Sequence, residues 1–330
     1  SIACIMYLCC GFMLMYPGGG AFGGLLEGYV PAIGTSLGLS NTLPNEEIGI
    51  PYGMDYSQQA DFFFQVVFVA TAMSIVSGAV AGRMKLLPFF LFAIVLTGFI
   101  YPIQGYWNWG GGFLSGMGYS DYAGSGTVHL CGAAALGVWI LWLGWFGFNG
   151  GSELVVSSEA SAINVSQVFL NTNMAAAGGV VAALMMSLAL TGKMDVTMAM
   201  NGAIAGLVAI TADPLSPSGG MAVLVGAIGG IIVYFSILYL EKSGIDDPVG
   251  AISAHGTVGI FGVLAVSFTG GASFVTQLIG VLSIAGFTFV ASYLVTMVIN
   301  SAMPIRATDE EQDIGLDKSE VGIEAYPEFN

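Results

Sequence analysis

Histidine occurs twice in this 330-residue chain, and each time an aspartate stands eight residues ahead of it. The two segments are Asp121-Tyr-Ala-Gly-Ser-Gly-Thr-Val-His129 and Asp247-Pro-Val-Gly-Ala-Ile-Ser-Ala-His255, with glycine fourth in both. Imidazole titrates near neutrality, so it can hold, release or relay a proton. Two neutral imidazoles can also satisfy one another, one ring donating its N–H to the bare nitrogen of the other. Both members of a rare residue type falling in one pattern points to an internal repeat. A metal site is the competing use of histidine, but no Cys, Asp or Glu is placed to complete a ligand set, so no metal or cofactor is expected.

The elements that must position these residues follow from composition. The chain is 55% hydrophobic and 8% charged, with a mean hydropathy of +0.83, whereas an average soluble domain carries about 25% charged residues. The chain is read as an all-α integral membrane protein. Its 49 glycines suit helices that approach closely in a bilayer, where each span keeps its backbone hydrogen bonds internal. Asp121 and Asp247 suit helix N-termini, Asp247 as the repeat-equivalent cap with Pro248 at the first helical position. Eight helical residues rise about 12 Å, which puts each histidine near the middle of a hydrocarbon core of about 30 Å. An ionisable side chain at that depth is costly and marks a functional site.

Apolar runs that could cross the bilayer lie at 2–17, 62–82, 86–103, 127–147, 163–190, 195–212, 221–241, 249–268 and 274–302. All six basic residues, Arg83, Lys85, Lys193, Lys242, Arg306 and Lys318, fall in short connections or the tail, and the positive-inside rule asks that they share one side. Nine crossings place Lys193 opposite Arg83, so one crossing is unaccounted for between 86 and 190. The stretch Thr127 to Phe148 carries features of two spans, and a segment near Leu136 is expected to be absent from the chain. His129 then enters from the side opposite the basic residues and His255 from the basic side, an inverted arrangement that brings both rings to the midplane.

The 104–126 connection supplies Trp107-Asn108-Trp109 before three glycines, aromatic faces that attract a small cation by roughly 0.5–2 kcal/mol. A net charge of −15 excludes an electrostatic nucleic-acid binder. No nucleophile with a base and no phosphate loop appears, so an enzyme is not expected. Cys4, Cys9, Cys10 and Cys131 are read as small buried hydrophobes, and the opening SIACIMYLCCGFMLMY as a span rather than a removable signal.

Several longer motifs, DFFFQVVFVAT (61–71), YWNWGGG followed by DYAGSGTVH, GWFGFNGGS (144–152), DDPVGAISAHGTVGIFG (246–262) and EEQDIGLD (310–317), occur in an order that resembles the ammonium transporter (Amt/Mep/Rh) family, its Amt branch in particular. The resemblance runs from about residue 2 to 327. It implies an eleven-helix fold with two inverted five-helix repeats, assembled as a homotrimer with a pore in each subunit. On that pattern Ser1 to Phe22 resembles the family's second helix, and Thr127 to Phe148 is too short for both the fifth and the sixth. By position, Trp109, Ser152 and Phe68 resemble the external site that receives NH4+, and Phe68 and Phe148 the stacked phenyl gate. His129 and His255 resemble the twin histidines of the pore, Asp121 the carboxylate that organises the outer site, and Trp145 an indole of the pore wall.

The implied activity is recruitment of ammonium at the outer mouth, loss of its proton and passage of ammonia through an apolar pore, with or without separate proton transfer. The implied domains are a transport domain over 1–303 and an acidic cytoplasmic tail over 304–330, the latter a possible contact for a nitrogen-regulatory protein. The expected location is the plasma or inner membrane, multi-pass, with the lipid bilayer and ammonium or ammonia as partners. Two alternatives stay open: an ammonium sensor, and a Rhesus-type passive channel for NH3 or CO2.

Overall fold

A computed structural model describes residues 2–17, 58–80, 82–131 and 138–323. Within these the chain is helical, with one isolated backbone bridge between Met84 and Arg306. The helices are α1 (Ile2–Met15), α2 (Gln58–Ala79), α3 (Leu86–Gly116), α4 (Ser125–Leu130), α5 (Val138–Gly151) and α6 (Glu159–Thr191). After them come α7 (Val196–Thr211), α8 (Gly219–Lys242), α9 (Ile252–Thr269) and α10 (Phe274–Ala302). Two short turns of the tail, α11 (Asp309–Ile314) and α12 (Asp317–Val321), complete the set.

Six helices are long and apolar enough to cross a membrane, namely α3, α6, α8, α9, α10 and the Asp61–Ala79 part of α2. Two further apolar helices, α1 and α7, are shorter. The expected 127–147 span is not a single crossing. Its first half is α4 and its second half α5. Tyr122 just before α4 hydrogen bonds to Glu153 just after α5 at 2.6 Å, so both halves have their outer ends on one face. The six residues that join them, Leu136 included, lie outside the described set, as do 18–57 of the first long connection and 324–330 of the tail.

Counting α4 and α5 as a pair that starts and ends on the same face removes the parity conflict. Arg83 pairs with Asp246 at 2.6 Å and Lys85 with Glu311 at 2.8 Å. Arg306 bridges Met84, Leu86 N–H donates to Glu320, and Lys242 ends α8 just ahead of Asp246. Lys193 precedes α7, whose Asn201 lies against Gly250 at the entry to α9. All six cations therefore share one face.

Close helix approach rests on small residues. At Gly226 of α8 a Cβ would run into the Ala175 carbonyl of α6, and at Gly206 of α7 into that same carbonyl, so glycine lets three backbones meet along one seam. Facing outward, α10 exposes Phe289, Val290, Leu294 and Val298, an apolar surface that suits lipid. The cysteines depart from expectation: Cys131 is buried, whereas Cys4 is exposed and Cys9 and Cys10 are half-buried, because α1 turns part of its surface away from the bundle.

Candidate functional site

The two aspartates hold matching turns. Asp121 Oδ2 accepts from the backbone N–H of Gly126 (3.0 Å) and Thr127 (2.9 Å), and from the Thr127 hydroxyl (3.0 Å). Asp247 accepts from the backbone N–H of Ile252 (3.0 Å) and Ser253 (3.1 Å). In each case the donors stand five and six residues ahead, not the two or three of an ordinary helix cap. The fourth-position glycine explains the offset, since Gly124 has φ of 98° and Gly250 of 71°, a conformation glycine adopts without steric cost. Pro248 accordingly sits in a turn rather than at the first helical position, and helix begins only beyond Gly250. Each histidine then lies in a π-helical stretch, Ser125–Leu130 or Ile252–Thr257, wider turns that recur at functional sites.

These turns bring His129 and His255 face to face. Their Nδ1 atoms are 3.1 Å apart, both residues are buried, and the rings are nearly parallel, 25° apart with centroids at 5.1 Å. One Nδ1 must carry the proton and the other accept it, so the contact fits a net-neutral pair. His129 Nε2 is buried with no partner.

An uninterrupted column of rings leads away from the pair. His129 lies 5.3 Å from Phe148. Phe148 stacks on Phe68 at 4.1 Å and 28°, and Phe68 meets Trp109 edge-on at 5.8 Å. Trp145 flanks the foot of the column, stacked on His129 at 4.8 Å and near His255 at 6.2 Å. Its indole N–H is fixed by the Thr211 hydroxyl at 2.8 Å. Trp109 donates to the Asp121 carbonyl at 3.1 Å, which ties the top of the column to the turn that starts α4. Ser152 stands one turn beyond Phe148 and donates its hydroxyl to that residue's carbonyl at 2.8 Å. Trp107, the other indole of the motif, packs instead against Phe113 and Phe287.

The structure adds residues that sequence reasoning missed. Gln104 donates to the Thr127 carbonyl at 2.7 Å and Asn108 to the Thr127 hydroxyl at 2.9 Å, while Asn149 donates to Thr172 at 2.9 Å. Gln104 and Asn108 lie four apart in an apolar helix, one turn of shared face. That spacing was the available signal. Among the described residues no group of three or more His, Cys, Asp or Glu is placed to hold a metal.

A buried imidazole pair at the foot of an aromatic column, inside a bundle with an apolar outer surface, defines a multi-pass α-helical membrane protein with an aromatic-lined interior. A sequence profile described as Ammonium Transporter Family matches residues 1–135 and 133–326. The two matches meet beside Leu136, where an absent segment is expected from the sequence. Ammonium transporter Amt2 of Archaeoglobus fulgidus is 35% identical, covering 81% of this chain and 70% of that protein. The ammonium transporter of Bacillus subtilis is 29% identical over 99% of this chain and 87% of its own length. Among solved structures, one described as "Sensor Amt Protein" superposes with a TM-score of 0.83 at 29% identity, covering 97% of this chain and 87% of its own. Candida albicans Mep2, at 23% identity and a TM-score of 0.78, covers 94% of this chain and 77% of its own and shares the fold. The chain belongs to the ammonium transporter family.

Proposed function

We propose that the protein carries ammonium across a cell membrane. NH4+ is received at Trp109, Phe68 and Ser152, gives up its proton near the Phe68–Phe148 gate, to outer water or to the His129–His255 pair, and crosses past the histidines as NH3. The observation that carries this reading is the His129–His255 contact at 3.1 Å directly below the stacked phenyl pair. Phenyl and indole faces can meet a cation without a buried countercharge. Stripping water from an ammonium ion is costly, so a neutral passenger suits the ring-lined interior. The imidazole pair, able to exchange a shared proton, supplies a separate route for charge. Asp121 acts through the turn it ties and through the carbonyl that holds Trp109, not as a ligand.

The positive-inside rule assigns the basic face to the cytoplasm, and with it the tail beyond 303, while the rings open to the other side. Homotrimeric assembly and contact of the tail with a nitrogen-regulatory protein rest on the family resemblance. Sensing is the second reading, favoured by the word "Sensor" in the name of the structural relative that superposes at 0.83. The test is an ammonium pulse on reconstituted protein with current and NH3 flux recorded together. Wild type passes both; His129→Ala and His255→Ala lose or sharply reduce the current while folding and assembly persist. Wild-type protein that binds ammonium yet passes neither current nor NH3 overturns transport in favour of sensing. NH3 flux without current in wild type leaves a passive gas channel.

A further inference from the structure

Directly after Ser152 comes a carboxylate that plays no part in the ring column or the histidine pair. Glu153 is half-buried and held from two sides. Tyr122 donates its hydroxyl to Oε2 at 2.6 Å, and Asn164 donates its amide to Oε1 at 2.6 Å. Leu154, the next residue, has φ of 67°, the one positive value at a non-glycine among the described residues. Such a conformation is uncommon for an L side chain and persists where the surroundings over-determine it. Here it ends α5 abruptly and leaves Glu153 at the rim beside Tyr122.

Both donors are neutral, so neither cancels the charge. All six Lys and Arg of the chain lie on the opposite face, as their pairings with Asp246 and Glu311 and their placement at α7 and α8 require. Tyr122 adds no charge of its own, because burial and then its hydrogen bond to Glu153 push its phenol up from 10.0. Of the other described acids toward this face, Asp121 is spent on backbone N–H groups, Asp213 accepts from Thr269 and from the Ser216 N–H, Asp61 is buried in α2, and Glu159, in the first turn of α6, is exposed.

We propose that Glu153 is the cation-gathering and positioning residue of the outer mouth. Its uncompensated charge raises the local concentration of monovalent cations beside Ser152, and its bond to Tyr122 locks the end of α5 to the Asp121–Tyr122 turn that carries Trp109. The inference rests on the outer mouth being the ammonium entrance. A single charge within several ångströms of a water-exposed site changes apparent affinity about two- to fivefold at low salt, an effect that fades once the Debye length falls to about 3 Å at 1 M.

Two variants separate charge from tie. Glu153→Gln keeps the shape and most of the hydrogen bonding but removes the charge; Tyr122→Phe keeps the charge but removes the tie. Initial rates of ammonium-driven flux into vesicles are measured at low and at high ionic strength. In Glu153→Gln the apparent KM rises about two- to fivefold at low salt with the maximal rate kept, and the difference closes at high salt. In Tyr122→Phe the salt dependence stays that of wild type, and the Trp109 emission shifts as its turn loosens. An unchanged KM in Glu153→Gln at low salt, or an equal loss of maximal rate at both salts, overturns the inference. Wild type that carries no ammonium at all instead overturns the transport reading on which it stands, so the two failures are distinct.

Discussion

Thr127 is where three parts of the site meet. Its carbonyl takes Gln104, its hydroxyl takes Asn108 and donates to Asp121, and its N–H also goes to Asp121. Thr127→Val keeps the shape but strips the hydroxyl, leaving a buried Asn108 amide unpaired. A buried donor without a partner costs about 1–3 kcal/mol, so the variant should unfold earlier in a thermal melt in detergent, whereas Thr127→Ser should stay near wild type. Thr211→Val should behave differently. It releases the Trp145 indole and removes the hydroxyl's own bond to the Leu207 carbonyl, and the expected outcome is a shift of tryptophan emission with a smaller loss of stability. Equal destabilisation by the two valines would show that the web around Thr127 holds no more than the bonds of Thr211.

At the scale of elements, the paired turns were legible in part. The spacing of Asp, Gly and His announced a repeat, and its entry from opposite faces followed from the basic residues. The turn conformation was not legible, because a glycine four residues into a helical pattern reads equally as a packing residue. What separates the cases is φ, and sequence carries no φ. The prediction is therefore a contrast among glycines. Gly124→Ala must adopt φ near 98° with its Cβ 2.6 Å from Val128, and should cost at least about 1 kcal/mol. Gly144→Ala, in α5 with open space around it, should be neutral or slightly stabilising through helix propensity. Chemical denaturation of both variants decides this, and equal effects would sink it. The π-helical turns of α4 and α9 were invisible for a related reason: an apolar run has the same composition whether it winds at 3.6 or more residues per turn. Gln104 and Asn108 fell in what reads from sequence as the 104–126 connection, whereas the helix continues to Gly116, and their target across the bundle was not legible. Glu153 stands in no motif that marks it, and only the fold brings Tyr122 and Asn164 to its carboxylate.

For the whole molecule, the basic face is also where the α2–α3 connection is joined to the tail. Lys85 N–H donates to the Ile305 carbonyl at 2.8 Å and Ala307 N–H to the Arg83 carbonyl at 2.9 Å, while Arg83 reaches Gln312 at 2.7 Å. Glu311 is the most perturbed acid of this clasp. Its hydrogen bond to Lys85, followed by those from Thr308, lowers its carboxyl from 4.5 to about 2. A lowered pKa means that the contact's contribution is complete above 4.5 and disappears as pH falls through about 2. Hydrogen exchange across Asp309–Ile314 should thus keep the same protection, after correction for intrinsic rates, from neutrality down to about pH 4.5. Protection already lost at pH 6 would refute the assignment. Glu311→Gln should loosen α11 at any pH above about 4.5, and because the pair is partly exposed to water the loss should be small.

The contact between His129 and His255 spans 126 positions of the chain. During synthesis, α4 leaves the ribosome long before α9 exists, so for most of translation His129 has no imidazole to face. The imidazole contact is consequently acquired late in synthesis, and a polypeptide stopped between residues 148 and 255 holds the phenyl pair with a single imidazole behind it.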